Sequence, residues 1–521
     1  MPDITKNIPM DEAGVVAGID LGTVFSSLGI LTDTGDVRLI ANADGNTLTP
    51  SALYFEDTTK CYVGEEALEM AHIEPWNVVQ FVKSHMGEAD FTLEFHGREW
   101  TPQELSSLII KKLINDAELE IGQRVRAVVI TVPASFNSAQ RLATQEAAQL
   151  AGVEVLEVVS EPNAAALSVS QPRGTSHMVF DLGGGTFDVT ITKRAELGQI
   201  AVVASSGDPN LGGKSWDDLL VTEVATLFHT RTGTDPRDTP ESYQDLHRSC
   251  LRAKEALTTR TMATLSVSHE GFRETITITR QKFEQLSMDL IERCLNSCEK
   301  VLSAGKMTWG ELDKILLVGG ASRMPMIANA IKKLAKNEPD LHPDPASAVT
   351  IGAVIVASGF SRAANNYSDD TVISDLHQNI GTKVMDATRH SLGILVMDGD
   401  YRERFVEMIA PNTVIPVEAK GRFAYAYDGM TSVQVNVIER TDNSTKSAGD
   451  IVGTLHLTDL PSRPRGTPID VVYRYGTDRI LKVDIIDVET GAGNMATLNL
   501  RGVLGDVMEA KRADIAMTVI G

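Results

Sequence analysis

Asp20-Leu21-Gly22-Thr23 and Asp181-Leu182-Gly183-Gly184-Gly185-Thr186 place an acid, glycines and a threonine at the same kind of junction in two distant parts of the chain. An apolar run precedes each: Val15-Val16-Ala17-Gly18-Ile19 before the first, Met178-Val179-Phe180 before the second. Extended patterns follow, Leu28-Gly29-Ile30-Leu31 and Val189-Thr190-Ile191-Thr192. A strand ending in Asp, a glycine turn and a second strand make a hairpin whose backbone N–H groups can face a phosphate. One such run is an ordinary turn. Two of them predict a duplicated α/β domain that closes on a single nucleotide.

The rest of the chain repeats that duplication. Ala127-Val128-Val129-Ile130-Thr131-Val132-Pro133 reads as a buried strand, and Ser138 to Ala151 as a helix stopped by Gly152. In the second half Ile315-Leu316-Leu317-Val318-Gly319-Gly320 is again a strand into a turn, and Pro325 opens a helix reaching Lys336. Glu161-Pro162-Asn163 starts an alanine-rich helix after the first unit, and Val349 to Ala357 does the same after the second. The expected fold is two α/β lobes with a cleft between them.

Near residue 360 the texture changes. Phe360 to Lys383 is polar and reads as a linker or exposed loop. From Ser391 the signals are short alternating strands, such as Ser432 to Val437 and Leu481 to Ile485, which suit a β-sandwich. The expected organisation is a tail over 1–13, the two-lobed domain over 14–362, a linker over 363–390, the sandwich over 391–503, and a short tail over 504–521. Gly505 to Ala516 has room for one short helix.

Composition excludes several classes. The 521 residues carry a net charge of −22, which disfavours nucleic acid and anionic membrane surfaces. No uninterrupted apolar run reaches membrane-spanning length, and Met1 to Lys6 forms no targeting signal. Four cysteines in so long a chain make no disulfide framework. Cys294 and Cys298 lack further ligands nearby for zinc. The expected compartment is the cytosol.

A nucleotide cleft needs phosphate donors, metal-positioning carboxylates and charge neutralisation. Asp20 and Asp181 are placed to hold magnesium through its waters, since Mg²⁺ gives up its hydration shell reluctantly. Gly22, Gly183, Gly184 and Gly185 let backbone amides approach phosphates, and Thr23 and Thr186 add hydroxyls. Lys83 is the candidate for neutralising the terminal phosphate or orienting water. Taken singly, Lys83 reads as a surface lysine and Glu161 as an acid favoured by a helix start.

In order along the chain stand Asp20-Leu-Gly-Thr, Val132-Pro133-Ala134-Ser135-Phe136-Asn137, Glu161-Pro162-Asn163-Ala164-Ala165-Ala166-Leu167, Asp181-Leu-Gly-Gly-Gly-Thr-Phe187-Asp188 and Val318-Gly319-Gly320-Ala321-Ser322-Arg323-Met324-Pro325. Together they resemble the DnaK-type seventy-kilodalton heat-shock chaperones over roughly residues 14 to 500. The resemblance implies an actin-like ATPase domain, a linker and a sandwich that grips extended apolar polypeptide. It assigns hydrolysis and magnesium positioning to Asp20, Lys83, Glu161, Asp181 and Thr186. Nucleotide contacts fall on Gly22, Thr23, Val24, Gly183 to Thr186, Lys254, Thr258, Gly319, Gly320, Ala321 and Arg323. Pro133, Arg141 and Asp386 match an interdomain relay. Met397, Phe423, Ala426 and Val433 fall at the peptide channel, although from the residues alone they read as plain sandwich core.

Departures from the family pattern qualify the expectation. Leu251 stands where an acid is usual, Ala321 where a polar residue is, and Ala346 where an adenine-side Asp is. Three lost polar contacts at roughly 1–1.5 kcal/mol each weaken ATP binding about a hundred-fold or more. Val24 replaces a second threonine. Glu157 reverses the charge where a J-domain co-chaperone meets an arginine, and a nucleotide-exchange factor is the other partner implied. The leucine-rich linker is reduced to Val384-Met385-Asp386 after an apparent insertion around Ser374 to Lys383, and no helical lid is expected after the sandwich. The expected function is an ATP-dependent chaperone. The alternative is a nucleotide-binding co-chaperone or scaffold with little turnover. A small-molecule kinase fits poorly, because the sandwich has no place in one.

Overall fold

The computed structural model describes residues 14–520 apart from 72, 89, 196–198, 363–383, 386, 389, 398–401, 441–448, 459–461, 477–480, 490, 492 and 499–504. Two sheets of the same design form its larger part. In the first, the central strand Val15–Asp20 runs parallel to Val125–Val132 and antiparallel to Phe25–Leu31. Glu154–Ser160 and Val37–Leu39 flank these. In the second, Ser176–Leu182 takes the central place, parallel to Lys314–Val318 and antiparallel to Phe187–Arg194, with Ile200–Asp208 beyond. The first central strand ends at Asp20 and the second one residue past Asp181, so the repeat seen in sequence is a repeat of topology. These are lobe I and lobe II.

Helix ends follow local chemistry. Thr101 caps Pro102–Ile121 in a capping box with Glu104, and Gly122 closes it at a φ of 68°. Asn137 caps Ser138–Leu150 through the backbone N–H of Gln140. The helix from Ala348 continues to Arg362, so Phe360 belongs to it rather than to the polar stretch. This helix and Glu161–Leu167 lie where the lobes join. A Cβ on Gly352 would stand 1.8 Å from the carbonyl oxygen of Ala164, and one on Gly18 would stand 2.3 Å from the backbone nitrogen of Val354. One apolar cluster there combines Val16, Ala127 and Val129 of lobe I with Val179, Leu316 and Val318 of lobe II. The lobes therefore join through this apolar cluster and through close backbone approaches at Gly18 and Gly352.

The C-terminal half-domain is a sandwich of two four-stranded antiparallel sheets. Leu392, Ile394, Val437, Tyr473, Val483 and Ile485 fill the space between them. It touches both lobes. Val384–Met385, read as part of the linker, adds a parallel edge strand to the lobe II sheet beside Ile200 and Ala201. The backbone N–H of Ser205 donates to Asn412 Oδ1 at 3.2 Å, and that of Ser138 donates to Glu439 Oε2 at 3.1 Å.

Beyond the sandwich, the short helix is Gly505–Met517, and it returns to lobe I. Ile515 is buried in the lobe I core. Val519–Ile520 then pairs in parallel with Lys60–Val63. Lys111 Nζ donates to the carbonyls of Ile515, Ala516 and Thr518 at 2.7, 3.2 and 3.0 Å, which satisfies acceptors a helix end leaves open. No helix among the described residues is long and apolar enough to cross a membrane.

Candidate nucleotide site

The two glycine hairpins meet. A Cβ on Gly184 would lie 2.2 Å from Val24 Cγ2, and one on Gly185 would lie 2.5 Å from Thr23 Cγ2. Glycine is required there because the opposite lobe occupies the space a side chain would take. Gly183 N–H closes the second turn on the carbonyl of Thr186 at 3.1 Å. In the first hairpin Gly22 N–H donates to Ser26 Oγ at 3.2 Å.

Behind the hairpins sits a cluster of charge. Lys83, expected at the surface when taken alone, is buried and paired with Glu161 at 2.5 Å. Its ammonium also lies 5.7 Å from the centre of the Phe136 ring. Burial, then the charge of Glu161, pushes the Asp20 carboxyl up to about 6, opposed by Lys83 and by a hydrogen bond from Thr131 Oγ1 at 2.8 Å. Asp181 is raised well above the carboxylate range by burial, then by Glu161, Asp188 and Asp20. Its Oδ2 is buried without a hydrogen-bond partner. Four acids crowded around one lysine form a place that favours a cation.

Other expected residues line the lobe II wall. The helix Gly213–Thr232 starts under the glycine loop, with the N–H groups of Gly213 and Lys214 donating to the carbonyls of Gly183 and Gly184. Lys254 Nζ donates to Asp217 Oδ2 at 2.7 Å and to the carbonyl of Gly213 at 3.2 Å. Thr258 Oγ1 donates back to the Lys254 carbonyl at 3.4 Å, one helical turn on. Ala321 stands close to Gly213, where an added Cβ would lie 3.4 Å from its own. Gly319, at a φ of 81°, backs directly onto Leu182 and Asp181. Its N–H donates to the Pro345 carbonyl beside Ala346, while Arg323 faces Asp344 at 3.8 Å. Gly320 follows at the start of the same short turn.

Sequence reasoning missed four contributors. Thr131 and Asp188 complete the acid cluster. Asp217 is the buried partner of Lys254, and Lys214 lies at the cleft rim. The Asp188 signal was present in the quoted motif, while the others depend on chain pairing. Toward the sandwich, Phe136 N–H donates to the Pro133 carbonyl and Arg141 Nε donates to that of Phe136. Burial works against the Arg141 charge, while Tyr475 and Glu439 of the sandwich and Asp188 and Glu161 of the cleft favour it. Asp386 lies outside the described residues, as does the 374–383 insertion. Phe423 and Val433 pack half-buried against the sandwich core, and Ala426 is half-buried near them in sequence. The Met397 side chain is outside the described residues.

Two duplicated lobes closing glycine hairpins over an acid cluster, followed by a β-sandwich, define a two-lobed ATPase with an appended binding module. The family model described as Hsp70 protein matches residues 16–512. The chain belongs to the Hsp70 family. It is 34% identical over 499 residues to the chaperone protein DnaK of Halobacterium salinarum, covering 94% of this chain and 75% of that protein. It is 35% identical over 487 residues to the DnaK proteins of Thermotoga petrophila and Thermotoga maritima, covering 91% of this chain and 79% of each. It is accordingly an ATP-dependent chaperone with ATPase activity.

Proposed function

We propose that the cleft holds magnesium–ATP between Thr23–Val24 and Gly183–Thr186, hydrolyses it slowly, and couples that event to the grip of the sandwich on extended apolar polypeptide. The observation that carries the reading is the meeting of the two glycine hairpins, whose aspartates Asp20 and Asp181 both feel the charges of the Lys83–Glu161 pair.

The residues suit the ion. The partnerless, buried Asp181 Oδ2 and the nearby Asp20 are hard oxygen donors facing one cradle. Among the described residues no three His, Cys, Asp or Glu side chains gather into a direct ligand set. Two carboxylates acting through water fit a magnesium ion, which keeps several waters. When bound, the ion neutralises charge on the terminal phosphates. Around it, the glycine-loop amides fix the phosphates in position, and Lys83 presents a fixed charge where negative charge develops. Glu161 orients Lys83. Asp20, held by Thr131, positions the attacking water.

Coupling would run from the cleft through Pro133, Phe136 and Arg141 to Glu439 and Tyr475, and from lobe II through Val384–Met385. Met397, Phe423, Ala426 and Val433 would supply the apolar pocket of a channel that takes main-chain hydrogen bonds from the peptide. A J-domain partner acting near Glu157, and an exchange factor, belong to the same proposal. The deciding experiment is phosphate release with and without a short apolar peptide, in the parent protein and in Lys83→Ala. Peptide-stimulated release in the parent and background release in the variant are expected. Equal background rates in both would remove the reading.

A further inference from the structure

The cleft holds more acid than its assigned cations balance. Asp20, Glu161, Asp181 and Asp188 act on one another there, and Lys83 is already bound to Glu161. Lys254 is committed to the buried Asp217. A bound triphosphate adds further negative charge, which a single magnesium ion does not cancel. One cation at the rim, Lys214, is paired only with an exposed acid.

Lys214 is the second residue of the helix Gly213–Thr232, and its backbone N–H donates to the carbonyl of Gly184 at 2.8 Å. Its backbone is thus fastened to the glycine loop. A cation in the first turn of a helix opposes the helix dipole, so this site is a poor one for a lysine without a task. The side chain crosses the cleft: its ammonium lies 5.5 Å from the centre of the Phe81 ring in lobe I. Phe81 holds a left-handed φ of 62°, a conformation rare for a bulky residue and common at working sites. It precedes Lys83 by two residues, which places the Lys214 ammonium at the same end of the cleft. The ion pair of Lys214 with Asp218, at 2.6 Å, joins side chains 42% and 45% exposed. An exposed pair with the lysine N-terminal to the acid is a weak tie.

We propose that Lys214 is a triphosphate-binding residue that leaves Asp218 when ATP occupies the cleft and contacts the terminal phosphate from lobe II, with the Phe81 ring guiding its ammonium across. This rests on the magnesium–ATP reading above. The contact would exist with ATP and be lost with ADP, so Lys214 would report the terminal phosphate to both lobes.

The test measures ATP and ADP affinity with magnesium, and single-turnover hydrolysis, in the parent protein, Lys214→Ala, Lys214→Arg and Asp218→Asn. Lys214→Ala is expected to lower the ATP-to-ADP affinity ratio about tenfold, the scale of one charge-assisted contact. It should also slow the single turnover while leaving the ligand-free melting temperature unchanged. Lys214→Arg should recover most of the ratio, and Asp218→Asn should raise it by removing the competing acid. A ratio unmoved by Lys214→Ala in a parent that binds and hydrolyses ATP overturns this proposal alone, as does an arginine variant no better than alanine. A parent that binds neither nucleotide overturns the site reading and this proposal together.

Discussion

Lys83 Nζ lies 2.5 Å from Glu161 Oε1, although the two residues are 78 positions apart and both are buried. Removing one partner of such a pair leaves an unpaired buried charge, at about 3–5 kcal/mol. Lys83→Ala therefore lowers the melting temperature as well as turnover, the latter about 10²–10³-fold by loss of transition-state charge stabilisation. The double variant Lys83→Ala/Glu161→Gln separates the two effects. Its melting temperature should return toward the parent value while hydrolysis stays at background. Calorimetry and phosphate release read the two quantities independently.

The elevated Asp20 carboxyl makes a pH prediction. Burial and Glu161 raise it to about 6 in the folded protein against an ordinary value of 3.8. The folded state thus binds this proton more tightly than the unfolded state does. The stabilisation is fully present below about pH 3.8 and is lost as pH rises through about 6. Asp20→Asn should therefore raise the ligand-free melting temperature at pH 8 more than at pH 5, while abolishing turnover. In the parent, kcat/KM for ATP should fall as pH drops through about 6, because the protonated acid no longer holds the ion or the water. A pH-independent kcat/KM between pH 5 and 8 would count against the role given to Asp20.

The hairpins were legible because their chemistry is local: an acid at a strand end and a glycine turn carry the same meaning wherever they occur. The helix from Ser138 is legible for the same reason, with its Asn137 cap and with Gly152 beyond its end, and Ala151 is the capping residue after Leu150. Lys83 was not legible on its own, because its burial depends on an acid from a different element. Val384–Met385 is too short to signal a strand, and it becomes one only where the lobe II sheet offers an unpaired edge. The same holds for Val519–Ile520 against Lys60–Val63. Lys214 is not legible in sequence because its i,i+4 spacing to Asp218 is that of an ordinary solvated helix face.

Where the lobes pivot, Gly352 has no room to change. A Cβ there would meet the Ala164 carbonyl at 1.8 Å, with backbone on both sides. Gly352→Ala must push the two helices apart. Overpacking of this kind costs about 1–3 kcal/mol and occasionally more. The expected result is a lower denaturation midpoint with a weakened response of turnover to peptide. An unchanged midpoint would show that the helices slide freely.

Docking of the sandwich onto lobe I passes through Glu439, which accepts from the Ser138 backbone N–H at a helix start. A carboxylate at a helix N-terminus gains from both the hydrogen bond and the dipole. Glu439→Ala should weaken docking about tenfold, the equivalent of one charged hydrogen bond. A distance label on each domain would read the separation. A separation unmoved by Glu439→Ala would count against this contact.

The return of the C-terminal helix to lobe I gives a last measurable consequence. Ile515 is 1% exposed within the lobe I core, and Lys111 donates to its carbonyl and to those of Ala516 and Thr518. Ile515→Ala removes buried apolar volume and should cost about 2–5 kcal/mol of the attachment. Lys111→Met should act in the same direction by removing the ammonium donor from those carbonyls, that of Ile515 keeping the backbone N–H of Thr518. A segment anchored by few contacts opens locally before the domain unfolds, so the first change should be faster hydrogen exchange at Val519, whose N–H donates to the Thr59 carbonyl at 2.8 Å. Exchange in the central strand Val15–Asp20 should stay at its parent rate. Should both regions accelerate together, the segment is an integral part of lobe I; should only Val519 accelerate, it is a detachable strap that links the far end of the sandwich to the nucleotide-binding lobe.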